Sequence, residues 1–287
     1  MSKIKEKNIT APQLITYGFA TIILVGATLL SLPISSQTGE ATNFLDALFT
    51  ATSATCVTGL TTLTTATHWS TFGHLVILTM IELGALGFMS LPVLFYLVTR
   101  KKVGLGMRIL LQQSLNSDRR TGEVSLMIYI LKNALLIQLA GFLLLAIDFI
   151  PRFGWKKGTW FSLFHAVSAF GNAGFDLFGD SLVGFQQNPW VLSIISGLII
   201  SGGLGFLVWS DVLSYKSVRR ISLHSKIALI VTATLLIFGT LGFMLTEGNA
   251  ASLAEGNVIH RFFNTIFMSV TPRTAGFFSV DYASMTH

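Results

Sequence analysis

Charged residues are scarce in this sequence. Asp, Glu, Lys and Arg make up 11% of its 287 residues, against about 25% in an ordinary soluble domain. This low share excludes a soluble globular protein and a disordered one. Only one cysteine is present, Cys56, which excludes an intrachain disulfide and a metal centre built from several cysteines. Neither a GxSxG nor an HExxH motif occurs, so we expect no enzyme.

Apolar residues dominate instead, at 52% of the chain, with a mean hydropathy of +0.67. Several apolar runs reach the roughly 20 helical residues that cross a hydrocarbon core of about 30 Å. The sequence therefore predicts an all-α membrane protein, with its first apolar run kept as a helix and not cleaved as a signal peptide. The predicted crossing helices cover 13–33, 73–98, 125–150, 189–212 and 224–246.

The basic residues predict the orientation. The amino end, the connections 99–124 and 213–223, and Lys226 hold 13 of the 19 Lys and Arg residues. Since cytoplasmic segments are enriched in Lys and Arg, the N-terminus should be cytoplasmic. This distribution also explains the net charge of +6 without a nucleic acid partner. The basic stretches 104–120 and 214–226 have two interpretations that stay open, an interfacial helix or topology signal and a contact with a cytosolic partner.

Three outward connections share one pattern. Each contains a short amphipathic helix, "NFLDALFTATSAT", "TWFSLFHAVSAF" or "HRFFNTIFMSVT", and then a small-residue segment ending in Gly59, Gly174 or Gly276. A pattern that recurs after roughly 100 residues is an internal repeat. The repeats predict these units: 1–98, a first span–pore helix–span repeat; 99–124, a cytoplasmic connection; 125–212, a second repeat; 213–223, a cytoplasmic connection; 224–287, a partial third repeat.

The helices in these connections are too short to cross, so the segments after them should return as extended chain at membrane depth. Such main chain survives there only when it is buried in protein or lines a water-filled cavity. Rings of its carbonyl oxygens suit a dehydrated monovalent cation, and no carboxylate lies within the segments. The predicted filter residues are Cys56, Val57, Thr58, Gly59, Gly171, Asn172, Ala173, Gly174, Arg273, Thr274, Ala275 and Gly276.

"TSATCVTGLTTL" with "GALGFMSLPVLF", then "HAVSAFGNAGFDL" and "TPRTAGFFSVDY", resembles the Trk/Ktr/HKT superfamily of potassium transporters, and within it the bacterial KtrB subunits. The resemblance covers essentially the whole chain. It implies four repeats around a pseudo-fourfold pore, of which this chain holds two complete and one partial. It also implies potassium uptake across the bacterial plasma membrane, a cytosolic nucleotide-binding regulatory subunit (KtrA/TrkA-like) and a homodimer. Na⁺ stays open as a coupling or activating ion.

Alternatives remain at the level of function and of single residues. A sodium-coupled or other cation secondary transporter is the second hypothesis, although it predicts inverted repeats and intramembrane charges. Glu82 is either functional or a buried partner of backbone or Lys132. Arg273 either braces filter carbonyls or repels cations. We expect a packing role for His165, a plain pore-loop role for Cys56, and a cation-attracting charge from Asp176.

A pseudo-fourfold pore needs four walls, and three pore segments are present. We therefore expect the 287 residues alone not to conduct. Potassium uptake by a chain of this length, in a cell lacking its own uptake systems, would contradict that expectation.

Overall fold

The computed structural model describes residues 11–87, 123–205, 208–209, 211–212, 221–247, 257–280 and 282. Within these ranges the chain is helical and no β-strand occurs, so the predicted all-α class is confirmed. The α-helices are α1 (Ala11–Ser31), α2 (Phe44–Cys56), α3 (Thr65–His68), α4 (Thr71–Ala85), α5 (Glu123–Phe153), α6 (Trp155–Phe170), α7 (Pro189–Gly203), α8 (Leu223–Thr246) and α9 (Val258–Val270). The predicted cytoplasmic connections lie largely outside the described residues, as does all of 104–120.

Polar caps begin most of these helices. The Asn43 side chain accepts a hydrogen bond from the backbone N–H of Leu45 at the start of α2. Asn188 does the same for Val191 at the start of α7, where Pro189 follows it. An asparagine at this position satisfies an N–H that has no partner within the helix, and proline favours the first helical position. Caps of the same kind on α4, α8 and α9 are Ser70, Ser222 and Asn257.

Two helices end earlier than predicted. α4 and α7 stand where helices over 73–98 and 189–212 are predicted, and both stop well before those ends. In each case a leucine is followed by a glycine with positive φ, Gly87 at 77° and Gly205 at 82°. A left-handed glycine just after the last turn ends an α-helix. The prediction of continuous helices is therefore wrong in both places, and for the same physical reason.

Two helices within the described residues are apolar and long enough to cross a membrane: Ile128–Phe153 and Leu223–Thr246. Three further apolar helices are shorter: Ile15–Ser31, Thr71–Ala85 and Pro189–Gly203. α8 buries little of its surface, since Ile230, Phe238 and Leu245 are 65%, 69% and 86% exposed. A helix that is apolar on every side suits apolar surroundings, either lipid or further protein.

The three predicted short helices are α2, α6 and α9. They contain 13, 16 and 13 residues, which is about 20 to 24 Å at 1.5 Å per residue. This length is less than the roughly 30 Å of a hydrocarbon core. They are therefore too short to span, as predicted, while the division of the chain into repeats stays a prediction.

Two buried clusters link one predicted repeat to the next. The first joins α1, α2 and α4 to Ala173 and Phe175, which follow α6. The second joins α5, α6 and α7 to Ala275 and Phe277, which follow α9. The segments that follow α6 and α9 are thus packed into the core of the preceding predicted repeat.

Glycines bring α4 and α7 against the ends of the short helices. A Cβ added to Gly84 would overlap the carbonyl oxygen of Thr55, near the end of α2. A Cβ added to Gly202 would overlap the carbonyl oxygen of Phe170, the last residue of α6. Small residues let neighbouring helices approach closely, and the same contact occurs at the ends of α2 and α6.

Gly202→Ala should destabilise the protein, because α7 must move away from Phe170. Overpacking of this kind lowers the free energy of unfolding by about 1–3 kcal/mol. The matched control is Gly197→Ala in the same helix, where an added Cβ meets nothing within 4 Å and alanine favours the helix. Thermal unfolding of the purified protein measures both, and equal stability of the two variants would contradict the packing argument.

Candidate functional site

The predicted filter residues form three segments, called here the first strip (56–59), the second strip (171–174) and the third strip (273–276). Their final glycines lie side by side. An ideal Cβ built on Gly174 would be 3.4 Å from the Cα of Gly59 and 3.2 Å from the Cα of Gly276. Gly174 thus lies next to both of the others. The structure brings together three glycines that are more than 100 residues apart along the chain.

The backbone of the strips follows a shared rule. The final glycines have φ of 75°, 70° and 75°. The residue two positions earlier is also left-handed, with φ of 57° at Val57, 56° at Asn172 and 76° at Thr274. A chain that alternates left-handed with ordinary residues turns successive carbonyls toward one side, whereas a β-strand points them to opposite sides.

Val57 is an unusual residue for this backbone. A β-branched side chain at positive φ is a genuine outlier, and the left-handed conformation costs about 1–2 kcal/mol for an L-residue. Such strain persists only where the surroundings hold it, commonly at functional sites. Asn172, at the equivalent position of the second strip, tolerates the conformation more easily.

The ends of α2 and α6 impose this conformation. Thr58 N–H donates to the carbonyl of Ser53 at 2.9 Å, and Ala173 N–H donates to the carbonyl of Ser168 at 2.8 Å. Both are the long bond of a Schellman motif, in which the residue before the donor is left-handed, here Val57 and Asn172. The third strip differs, since Ala275 N–H donates to Thr271 at 3.0 Å, one turn after α9.

Carbonyls of the strips face the neighbouring glycines. The oxygen of Ala173 lies 2.6 Å from the position of a Cβ on Gly59, and that of Ala275 lies 2.9 Å from the position of a Cβ on Gly174. A side chain at either glycine would therefore displace an oxygen of the next strip. The C-terminal ends of α2, α6 and α9 also lead into the strips and add the negative pole of each helix dipole.

Hydroxyl groups hold the carbonyl that follows two of the glycines. Ser168 Oγ donates to the Phe175 carbonyl at 2.7 Å, and Thr271 Oγ1 donates to the Phe277 carbonyl. Ser168 lies in α6, Thr271 directly follows α9, and both residues are buried. In the first repeat the hydroxyl of Ser53 instead accepts a hydrogen bond from Thr58 Oγ1 at 2.9 Å.

Arg273 does not make the contact expected of it. One reading has its guanidinium bonding filter carbonyls, but its Nη2 donates to Thr232 Oγ1 on α8 at 3.0 Å. The side chain therefore contacts α8, and the interpretation that it braces filter carbonyls is wrong. The main chain of Arg273 stays part of the third strip, where its N–H donates to the carbonyl of Val270 at 3.2 Å.

His165 has the packing role that the sequence predicts. Its ring is fully buried, with Nδ1 2.7 Å from the Phe161 carbonyl and Nε2 accepting from Leu177 N–H at 3.4 Å. These partners assign the neutral tautomer with hydrogen on Nδ1. The ring also stacks on Phe178 at 4.3 Å between centroids. His165 thereby ties α6 to the segment beyond the second strip.

Asp176 is committed to the same segment. Its Oδ1 accepts hydrogen bonds from the N–H groups of Phe178 at 2.8 Å and Gly179 at 2.6 Å. This is a turn closed by an aspartate side chain. Its predicted role of attracting cations stays a prediction, and turn formation is the role that the contacts describe.

Glu82 has a neutral partner. Gln138 Nε2 on α5 donates to Glu82 Oε2 at 2.8 Å, so the hydrogen bond goes to Gln138 and not to Lys132, the partner considered from the sequence. The other oxygen, Oε1, is buried without a hydrogen bond. The pair joins α4 to α5, which belong to the first and second predicted repeats.

Cys56 ends α2 as an exposed free thiol. No group of three or more His, Cys, Asp or Glu residues that could hold a metal ion occurs within the described residues.

Sequence reasoning missed the two hydroxyl contacts. Ser168 and Thr271 were not singled out because serine and threonine are common in short helices. The available signal was positional, since a hydroxyl residue precedes each strip glycine by five or six places, with Ser53 in the first repeat.

Comparison with known proteins gives a family. The model of the TrkH family, described as cation transport protein, matches residues 5–287. The chain is 55% identical over all 287 residues to the potassium/sodium uptake protein NtpJ of Enterococcus hirae, covering 64% of it. It is 41% identical over 283 residues to the Ktr system potassium uptake protein B of Bacillus subtilis, covering 98% of this chain and 63% of that protein. The chain thus spans less than two thirds of these curated relatives.

A solved structure shares the fold. The crystal structure of the potassium transporter TrkH from Vibrio parahaemolyticus superposes with a TM-score of 0.58 over 94% of this chain and 52% of that one. The sequences are 15% identical, so the likeness concerns the arrangement of helices.

His165→Phe should destabilise the protein while preserving ring volume. The change leaves the N–H of Leu177 without its partner, and an unsatisfied buried group costs about 1–3 kcal/mol. The control is His224→Phe, at an exposed position near the start of α8. Thermal unfolding compares the two, and a His165→Phe protein as stable as the control would refute this role of the ring.

Proposed function

The chain belongs to the TrkH family of cation transport proteins, and from this premise we propose that it forms the pore of a potassium uptake system. The ion would pass between the three strips and move down its electrochemical gradient. The observation that carries the proposal is the meeting of Gly59, Gly174 and Gly276, each with positive φ. Such strips offer several main-chain oxygens to one ion, in place of its hydration shell.

The electrostatics favour a monovalent cation. Sites for divalent cations usually recruit carboxylates, and the strips contain none. The negative ends of three helix dipoles stabilise a positive charge beside the strips without binding it as tightly as an ionised side chain would. A membrane potential supplies about 2.3 kcal/mol per charge per 100 mV, which is enough to drive uptake without a chemical step.

Sodium is the second candidate ion. The relative from Enterococcus hirae is named a potassium/sodium uptake protein, which favours sodium as a transported, coupling or activating ion. The resemblance to the Trk/Ktr/HKT superfamily implies a preference for potassium, since in that superfamily a serine in place of the first filter glycine goes with sodium permeation, and this chain has Gly59. Measuring the uptake of potassium, or rubidium in its place, in the presence of competing sodium distinguishes these two candidates.

The topology and partners are part of the proposal. The distribution of Lys and Arg supports a cytoplasmic N-terminus in the bacterial plasma membrane. A relative is named as protein B of a Ktr system, which supports assembly with other subunits. We accordingly include a cytosolic nucleotide-binding regulatory subunit and a homodimer, together with the predicted repeat boundaries.

Gly59→Ser should weaken discrimination between rubidium and sodium about tenfold, equivalent to about 1.4 kcal/mol. An added Cβ there would lie 2.6 Å from the Ala173 oxygen, and the serine would have to adopt a backbone φ of 75°. Either effect displaces the strip. The measurement is uptake of both ions by the protein expressed from its complete reading frame in cells lacking other potassium uptake.

Gly39→Ser is the matched control. Gly39 has nearly the same φ, 73°, but an added Cβ there meets nothing within 4 Å. It therefore reports backbone strain without crowding of the strips. Selectivity that is equal in Gly59→Ser and Gly39→Ser would argue against a filter at Gly59.

A further inference from the structure

We propose that Ser168 and Thr271 are positioning residues that set cation selectivity. Their hydroxyls hold the carbonyl just beyond each filter glycine away from the ion path. The inference rests on the proposed function and deepens it, because it names the groups that define where the second and third strips stop offering oxygens. Neither residue touches the ion in this account.

The first support is the contact itself. Ser168 is fully buried and its Oγ lies 2.7 Å from the carbonyl oxygen of Phe175. Thr271 is 5% exposed and its hydroxyl donates to the carbonyl of Phe277. The two contacts arise in separate repeats with different residue types and different spacings along the chain. Their recurrence indicates a shared requirement of the second and third strips and not an accident of one loop.

The second support is the direction of the neighbouring carbonyls. The oxygens of Ala173 and Ala275 face the glycine of the adjacent strip. Two residues later, the oxygens of Phe175 and Phe277 are turned back to the helix that precedes the strip. The main chain therefore reverses the direction of its carbonyls across Gly174 and Gly276, and the hydroxyl bond holds that reversal.

The third support is the burial of the aromatic rings. Phe175 and Phe277 are each 1% exposed and belong to the two core clusters. Each residue is thus fixed at its side chain by packing and at its carbonyl by a hydroxyl. In the first repeat the equivalent residue, Leu60, is 64% exposed, and Ser53 receives a hydrogen bond from Thr58 instead.

A held carbonyl matters because selectivity depends on the number and stiffness of the oxygens around the ion. Without the hydroxyl, the peptide after the glycine can rotate, and the strip can contract around a smaller cation. Removing the hydroxyl should therefore favour sodium over potassium. A residue that only stabilised the fold would lower the uptake of both ions equally.

The test uses Thr271→Val, which keeps the shape of the side chain, and Ser168→Ala. Thr271→Ser restores the hydroxyl. Ser162→Ala is the control, since Ser162 is equally buried on α6 but donates to Gly158 within its own helix at 2.7 Å. In cells lacking other potassium uptake, the ratio of rubidium to sodium uptake should fall about tenfold in Thr271→Val and Ser168→Ala. A tenfold change corresponds to the free energy of about one ordinary hydrogen bond. Thr271→Ser and Ser162→Ala should keep the parent ratio.

Thermal unfolding of the purified protein in K⁺ and in Na⁺ gives a second readout that needs no transport. We expect K⁺ to stabilise the parent more than Na⁺, and Thr271→Val and Ser168→Ala to lose this preference. Parent-like ratios and preferences in both variants would overturn the role of the hydroxyls while leaving the proposed function standing. A parent that is expressed from its complete reading frame and neither transports nor is stabilised by either ion would overturn the proposed function itself.

Discussion

Main-chain N–H and C=O groups find no water in the interior of a bilayer, so non-helical chain at that depth has to satisfy them within the protein. The three strips depend on this constraint. The amides of Thr58, Ala173 and Ala275 bond back to residues at the ends of the short helices, and the carbonyls of Ala173 and Ala275 face the glycines of the neighbouring strips. In the proposed filter, oxygens without a donor would bind the cation, so the cost of irregular backbone and the capacity to bind an ion would have one origin.

Close approach is the second theme of the fold. Gly84 and Gly202 let α4 and α7 lie against the last carbonyls of α2 and α6, and Gly59 and Gly174 leave room for oxygens of the adjacent strips. The left-handed stops at Gly87 and Gly205 then end α4 and α7 just beyond these contacts. Glycine thus acts here through the space it leaves as much as through its backbone freedom.

The short helices and the strip glycines could be predicted because they repeat. Aromatic residues at helical spacing, a small polar segment and a glycine recur three times, and repetition separates such a pattern from chance. The helix ends at Gly87 and Gly205 could not be predicted, because a glycine inside a long apolar run is equally consistent with a continuous helix that packs closely on its neighbour. The partner of Arg273 was missed because Thr232 lies 41 residues away, and hydrogen bonds between distant residues leave no local pattern.

The packing of the second and third strips into the core of the preceding predicted repeat has a consequence for the effect of mutations and for assembly. A substitution inside α4, for instance at Ile81, whose Cγ2 lies 3.2 Å from the position of a Cβ added to Gly171, would disturb the second strip as well as the first. The effect of a mutation would thus extend from one predicted repeat to the next. Synthesis from the N-terminus also provides each core before the segment that docks on it, so the ion path would close in the order of translation.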